Sequence, residues 1–208
     1  MGLRLLRHPR PDRDRPAQRD GALPHLWRAR DEGGWVTVPY AEVRAVRGDI
    51  TTQQVAAVVN AANRRMRGGG GVDGAIHRAG GPEVLADCVR RFPDGLATGD
   101  AGWTTAGLMP ARWVIHTVGP DYGRGETDRD LLVSCYRRCL EVADELGAQT
   151  VALPLVSAGV YAWPLEDAVD AAVTTLRATE TRVREVRIVA FSDATHRAVL
   201  ARLESTQG

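Results

Sequence analysis

Val58-Val59-Asn60-Ala61-Ala62-Asn63-Arg64-Arg65-Met66-Arg67-Gly68-Gly69-Gly70-Gly71-Val72-Asp73-Gly74-Ala75-Ile76-His77 contains the only two asparagines of the chain, a run of four glycines and an aspartate four residues before a histidine. The apolar run Val55 to Val59 leading into it reads as a buried strand, because β-branched valines fill it and polar turn residues bound it. That strand is expected to deliver Asn60 and Asn63 to its C-terminal end. The glycines remove every Cβ from four successive positions, so backbone N–H groups can approach a bound group closely, a geometry suited to phosphate. Val72, Ile76 and Ala79 then recur at helical spacing, which starts a helix near Val72 and aims its free N–H groups and positive dipole end at the same anion. Asp73 and His77, at i and i+4, share one face of that helix. An aspartate in a first turn also complements the dipole or caps the helix, so residue type alone leaves both readings open.

Working outward, apolar runs at Val55–Val59, Trp113–Val118, Val151–Leu155 and Val186–Phe191 read as buried strands. Helical patterns lie between them: Val72–Arg91 in two pieces broken near Gly80-Gly81-Pro82, Asp128–Leu146, Pro164–Ala178 and Ala194–Leu203. This alternation predicts an α/β fold with a central sheet covered by helices on both faces and ligands gathered outside the strand ends. A short hairpin is expected from Leu26–Arg30 and Trp35–Val38, turned by Gly33-Gly34.

The 208 residues, 44% of them hydrophobic, fit one domain with a modest extension. Residues 1 to 30 carry eight arginines against three aspartates, with prolines at 9, 11, 16 and 24 and no apolar periodicity. Residues 1–24 are therefore expected to form a disordered basic arm ahead of a folded domain over 25–208. No apolar stretch approaches the ~20 residues of a membrane span and no signal-peptide core is evident, so a cytoplasmic protein that avoids membranes is expected. Three cysteines argue against a secreted disulfide framework, and Cys135 and Cys139, one helical turn apart without partners at ligand spacing, read as a buried face rather than a metal clip. No metal and no cofactor is expected. Lysine is absent, which excludes a lysine Schiff base and the lysine of a Walker loop. Gly69-x-Gly71-x-x-Gly74 also satisfies the dinucleotide fingerprint, but eight residues separate Asn60 from Gly69 and no strand-end acid follows at the required distance.

Arg47-Gly48-Asp49-Ile50-Thr51, Val58-Val59-Asn60-Ala61-Ala62-Asn63, the glycine run continuing to Ala79, His116-Thr117-Val118-Gly119-Pro120 and Pro154-Leu155-Val156-Ser157-Ala158-Gly159-Val160-Tyr161, in this order, resemble the macrodomain family, in particular its MacroD-type ADP-ribosylhydrolases. The likeness is clearest from residue 43 onward. It implies a three-layer α/β/α macrodomain with a central mixed sheet flanked by helices on both faces. Ala158, Ala162, Trp163 and Gly80 depart from the usual pattern, and Arg64-Arg65-Met66-Arg67 stands where the family is usually small and apolar.

The resemblance also implies roles. Asp49, alongside the Ile50 backbone, would accept from the adenine amino group, or else cap the next segment. Phe191 would stack on the adenine, unless it belongs to the core. The amides of Gly70, Gly71 and Val72, and of Ser157, Ala158, Gly159, Val160 and Tyr161, would enclose the diphosphate. Asn63, Asp73 and Tyr161 would surround the distal ribose, with Asp73 and Asn63 catalytic and His77 and Tyr161 in support; Asn60 reads as structural. The function so implied is removal of ADP-ribosyl groups from acidic side chains of proteins, or deacetylation of O-acetyl-ADP-ribose, by Asp-assisted water attack. Alternatives are an ADP-ribose reader without turnover, and a hydrolase of ADP-ribosylated nucleic acid reached through Arg64, Arg65 and Arg67. Expected partners are ADP-ribose and ADP-ribosylated proteins, with a monomeric enzyme.

Overall fold

The structure, a computed structural model, describes residues 30–31, 34–35 and 40–205, with side chains from residue 40 onward. The chain divides into two units, Met1–Thr37 and Val38–Gly208. In the first, β1 (Arg30–Asp31) and β2 (Gly34–Trp35) pair antiparallel, Arg30 opposite Trp35 and Asp31 opposite Gly34. Of the expected hairpin, the pairing of Arg30 with Trp35 is described, and Gly34 stands in β2. The outer parts of that expectation, and the arm over residues 1–24, lie outside the described residues.

In the second unit the strands are β3 (Glu42–Arg47), β4 (Ala57–Ala62), β5 (Ala101–Thr105), β6 (Trp113–Val118), β7 (Thr150–Leu153) and β8 (Glu185–Ala190). The helices are α1 (Gly71–Gly80), α2 (Pro82–Arg91), α3 (Arg129–Leu146), α4 (Leu165–Ala178) and α5 (Asp193–Glu204). The strands form one sheet in the order β3-β8-β7-β4-β6-β5, parallel throughout except for the antiparallel edge strand β5. None of these helices is long and apolar enough to cross a membrane.

Strand side chains alternate between faces, and the burial follows that period. Ala57, Val59, Ile115, Val151, Leu153, Val186 and Ile188 pack with Leu140 of α3, Val173 of α4 and Val199 of α5. Val58, Val114, Ala152 and Val189 turn the other way and meet Ile76 of α1. Ala62 and Val118, on that same second face, pack on Cys88 of α2. The sheet is thus covered on both sides, three helices on one and two on the other. Ile76 has no solvent exposure, and burying a side chain of that size contributes about 1.5–3 kcal/mol.

Two strands were not legible as strands. Glu42-Val-Arg-Ala-Val-Arg47 alternates charged and apolar residues at the sheet edge, too weakly apolar to stand out. Ala101-Gly-Trp-Thr-Thr105 carries Gly102 in its middle, a residue that weakens strand propensity, yet a Cβ there would meet the Phe92 ring at 2.6 Å. The expected break after α1 is present: Gly81, at φ 75°, ends α1, and Pro82 opens α2 at its first position. One boundary shift matters for the site. β4 continues to Ala62, so Asn60 lies inside the strand rather than past its end.

Candidate active site

The parallel strands β4, β6 and β7 are neighbours in the sheet, and their C-terminal ends open into loops around one cavity. The cavity encloses about 350 Å³ and is bounded by Asn63 after β4, Gly119 after β6, the glycine loop with the first turn of α1, and the loop from Pro154 to Tyr161 after β7. A second hollow of about 660 Å³ adjoins it, sharing Asn63, Gly119 and Tyr161 and reaching Arg64, Arg65, Arg67 and Arg124.

One wall is the start of α1. Its N-cap is Gly70, no side chain caps the helix, and Gly69 to Gly71 are exposed. The first-turn N–H groups therefore remain available to an anion. Gly71 adopts φ 58°, a left-handed conformation that a side chain would strain. The opposite wall is the second loop, in which Ser157 itself stands at φ 63°. Two backbone bonds tie it, Ala162 N–H to Gly159 O at 3.0 Å and Trp163 N–H to Ser157 O at 3.0 Å. The Tyr136 hydroxyl, buried on α3, accepts from Val156 N–H at 3.0 Å and pins the loop where it leaves the core. Burial raises the Tyr136 hydroxyl's pKa, so the group stays protonated. Gly119 is required here because a Cβ would overlap the Ser157 hydroxyl.

Asp73, 4% exposed, forms the floor. Asn60 donates to its Oδ1 at 2.7 Å, Asn63 to its Oδ2 at 3.3 Å, and His77 Nε2 lies 3.4 Å from Oδ1. The acidic residue at the first turn of α1 is thus held by three side chains. Asn63 also donates to Gly68 O at 2.8 Å and accepts from Arg65 N–H at 3.0 Å, so it shapes the glycine loop while lining the cavity. Tyr161 lines both hollows; burial, followed by the carboxylates of Asp121, Asp73 and Glu126, raises its pKa and keeps its hydroxyl a donor.

The residues expected at the adenine end sit on the next strand ends along the sheet. Gly48 N–H donates to Ala190 O at 3.1 Å, which brings the ends of β3 and β8 together, Asp49 following the one and Phe191 the other. Phe191 is 81% exposed, which removes the core reading. Its ring lies 5.9 Å from the Arg47 guanidinium, which also bonds Asp193. Asp49 Oδ1 accepts from Thr51 N–H at 2.8 Å and Thr51 Oγ1 at 2.7 Å, capping the short 3-10 turn Ile50–Thr52. Neither Asp49 nor Phe191 lines the enclosed cavity.

The arginines before the glycines are not three equivalent cations. Arg64 pairs with Glu126 at 2.6 Å and donates to Thr98, and Arg67 is folded onto the carbonyls of Phe92 and Pro93. Among the described residues Arg65 has no side-chain partner and is exposed.

Sequence reasoning gave His116 no part in the site. The ring is fully buried on β6, on the face that carries Asn60, and Asn60 donates toward its Nδ1 at 3.0 Å. Only the β4–β6 register, with Asn60 opposite His116, shows the relation, and no local signal encodes it. Burial, then the charge of His77, push its pKa down to about 3, so the ring is neutral. His77, Cys88 and His116 bring ligand-type atoms within 4.8 Å of one another. However, Nε2 of His116 already pairs with Thr104 Oγ1 at 2.8 Å, and the buried Cys88 thiol is pushed up to about 11. His116 is thus engaged at both ring nitrogens by Asn60 and Thr104, in a buried polar network next to Asp73 in which Asn60 Oδ1 alone is left without a partner among the described residues.

The chain's relatives agree with this architecture. The Macro domain family profile matches residues 59–172. A macro domain-containing protein of Streptomyces coelicolor is 54% identical over 165 residues, covering 77% of this chain and 98% of that protein. A Pantoea vagans protein named O-acetyl-ADP-ribose deacetylase 1 is 44% identical over 156 residues, covering 72% and 91%. Among solved structures, the Oceanobacillus iheyensis macrodomain with ADP superposes with a TM-score of 0.77 at 34% identity over 83% of this chain and 95% of that one. The Trypanosoma brucei macrodomain in complex with ADP-ribose gives 0.71 at 36% identity, covering 80% and 69%. Fold and sequence together define an α/β/α macrodomain. The chain belongs to the Macro domain family.

Proposed function

We propose that the protein binds ADP-ribose and hydrolyses ADP-ribosyl esters, removing the group from acidic protein side chains or deacetylating O-acetyl-ADP-ribose. The observation that carries this reading is the buried Asp73 carboxylate set at the floor of an uncapped helix N-terminus, with Tyr161 and Asn63 beside it. The diphosphate lies across the amides of Gly70, Gly71 and Val72 and faces those of Ser157 to Tyr161. These contacts need neither lysine nor metal. The adenine extends toward Asp49 and Phe191, and the distal ribose falls between Asn63, Asp73 and Tyr161. Asp73 accepts a proton from the attacking water as its oxygen bonds to the electrophilic carbon, the ester's carbon–oxygen bond breaks, and the proton held on Asp73 passes to the departing oxygen, or to solvent where a carboxylate departs, restoring the base. The acceptor that carried the ester leaves through the arginine-lined hollow. Relatives support the assignment: one is named a deacetylase of O-acetyl-ADP-ribose, and structural neighbours hold ADP or ADP-ribose.

The test pairs calorimetry with turnover. ADP-ribose is expected to bind without added metal and far more tightly than NAD, whose nicotinamide must occupy the space beside Asp73. Equal affinity for both, or a requirement for zinc or magnesium, removes the proposal. Tight binding without release of ADP-ribose from an acid-linked ADP-ribosyl protein or from the O-acetyl ester makes the protein a reader instead.

A further inference from the structure

Asn60 uses both amide hydrogens inside the protein, one on Asp73 Oδ1 and one on His116 Nδ1. An amide nitrogen has only hydrogens to offer, so Nδ1 is the acceptor and the ring is the Nε2–H tautomer. Nε2–H then donates to Thr104 Oγ1 at 2.8 Å, and that hydroxyl donates to Thr105 O at 3.0 Å. Asn60, His116 and Thr104 are all without solvent exposure, so bulk solvent does not reach these groups. The tautomer has a consequence for Asp73. Were Nδ1 to carry a proton, the Asn60 amide would have to turn its oxygen to the ring, and that same oxygen would confront the carboxylate. With Nδ1 bare, the amide is locked with its hydrogens toward Asp73.

The lock also distinguishes the two carboxylate oxygens. Oδ1 faces Asn60 and His77, whereas Oδ2 lies beside Asn63 and beneath Gly69, where a Cβ would come within 2.9 Å. We infer that His116 is a positioning residue which, acting through Asn60, fixes the Asp73 carboxylate so that Oδ2 is the oxygen presented to the ligand. For its effect on turnover the inference rests on the proposed hydrolase reading.

Two substitutions separate positioning from packing. His116→Asn keeps an acceptor near the place of Nδ1. His116→Gln keeps a polar group near Nε2 but leaves Asn60 without its acceptor. His116→Asn is expected to retain kcat within about threefold, whereas His116→Gln lowers it by about tenfold to a hundredfold, the scale of a slightly misplaced reacting group. The ADP-ribose Kd and the KM of both variants should stay near wild type. Equal losses of kcat in both variants, or a loss carried by KM and Kd, overturn the inference. Long-range ¹H–¹⁵N spectra of the wild type should show a neutral Nε2–H ring from about pH 5 to 8; an Nδ1–H or doubly protonated ring overturns it. That spectrum is independent of turnover. If the wild type binds ADP-ribose without hydrolysing it, the hydrolase reading falls, and the Asp73 orientation in a crystal structure of His116→Gln decides: a rotated carboxylate upholds positioning, an unmoved one overturns it.

Discussion

Gly69 stands directly over Asp73: a Cβ on Gly69 would lie 2.9 Å from Asp73 Oδ2 and 3.1 Å from Asn63 Nδ2. The glycine loop and the carboxylate are therefore one packing unit. Gly69→Ala is expected to displace the carboxylate and lower turnover by about tenfold or more. Its melting temperature should fall by a few degrees as well, because the displaced Asp73 is buried and bonded to Asn60 and Asn63. Parallel kinetics and thermal melts test this, and unaltered kinetics would show that the loop yields without moving Asp73.

Asp73→Ala should reduce turnover by at least about a hundredfold while ADP-ribose affinity stays within an order of magnitude, the behaviour of a general base. Asp49→Ala should do the reverse, raising KM with little change in kcat. It also removes the cap on Thr51, so a stability loss of about 0.5–2 kcal/mol accompanies it. A lower stability with unchanged KM would reduce Asp49 to a cap.

Phe191 touches water over most of its surface, so Phe191→Ala should leave the unfolding midpoint almost unchanged. If its ring stacks on adenine, the ADP-ribose Kd rises by about fivefold to a hundredfold, since base–aromatic stacking contributes roughly 1–3 kcal/mol. ADP-ribose and ribose 5-phosphate titrations compared across the two proteins isolate the effect. The shorter ligand, which lacks adenine, should not notice the substitution.

Because Arg64 and Arg67 are engaged within the protein, Arg65 is the arginine best placed to meet a phosphate chain. If ADP-ribosylated DNA is a substrate, Arg65→Ala should reduce the salt slope of its binding by about one. Arg67→Ala should instead lower thermal stability by loosening the contact with the Phe92–Pro93 turn. Hydrolysis of the small O-acetyl ester should be indifferent to the first change. An identical salt slope in Arg65→Ala returns it to solvated surface.

His116 also makes stability depend on pH. Its pKa is held near 3 in the fold, below its unfolded value near 6.5, so between the two the unfolded chain binds the extra proton. The stabilisation is complete above about 6.5 and is lost as pH falls toward 3, at no more than about 1.4 kcal/mol per pH unit. Urea unfolding in steps from pH 7 to about pH 4 should therefore show a shallower decline for His116→Asn than for wild type. Parallel slopes would mean that the buried ring is not the group being protonated.

Much of the architecture could be read from apolar runs, because parallel strands covered on both faces become largely apolar, valine-rich stretches such as Val55–Val59 and Val186–Phe191. Strands at the sheet edges escape that rule. β3 is half solvated and charged, and β5 carries a glycine that only Phe92, packed from elsewhere, explains. The same distinction separates the parts of the site. The glycine loop, Asp73 and His77 lie within one short stretch and announce themselves by spacing. The link from Asn60 to His116 is a register between two strands 56 residues apart, and the pairing of Arg64 with Glu126 spans 62. Nothing local encodes either.

Asn63, Gly119 and Ser157 close on one cavity from the ends of three adjacent strands that are widely separated along the chain. The binding surface cannot exist before β4, β6 and β7 have been laid side by side, so no fragment carrying the glycine loop alone offers it. A ligand bridging these loops engages only the assembled sheet and raises the stability of the whole unit, by about 2.7 kcal/mol at a concentration a hundred times its Kd. Ligands for this protein can accordingly be ranked by thermal shift alone, with the folding transition serving as the detector and no chemical label required.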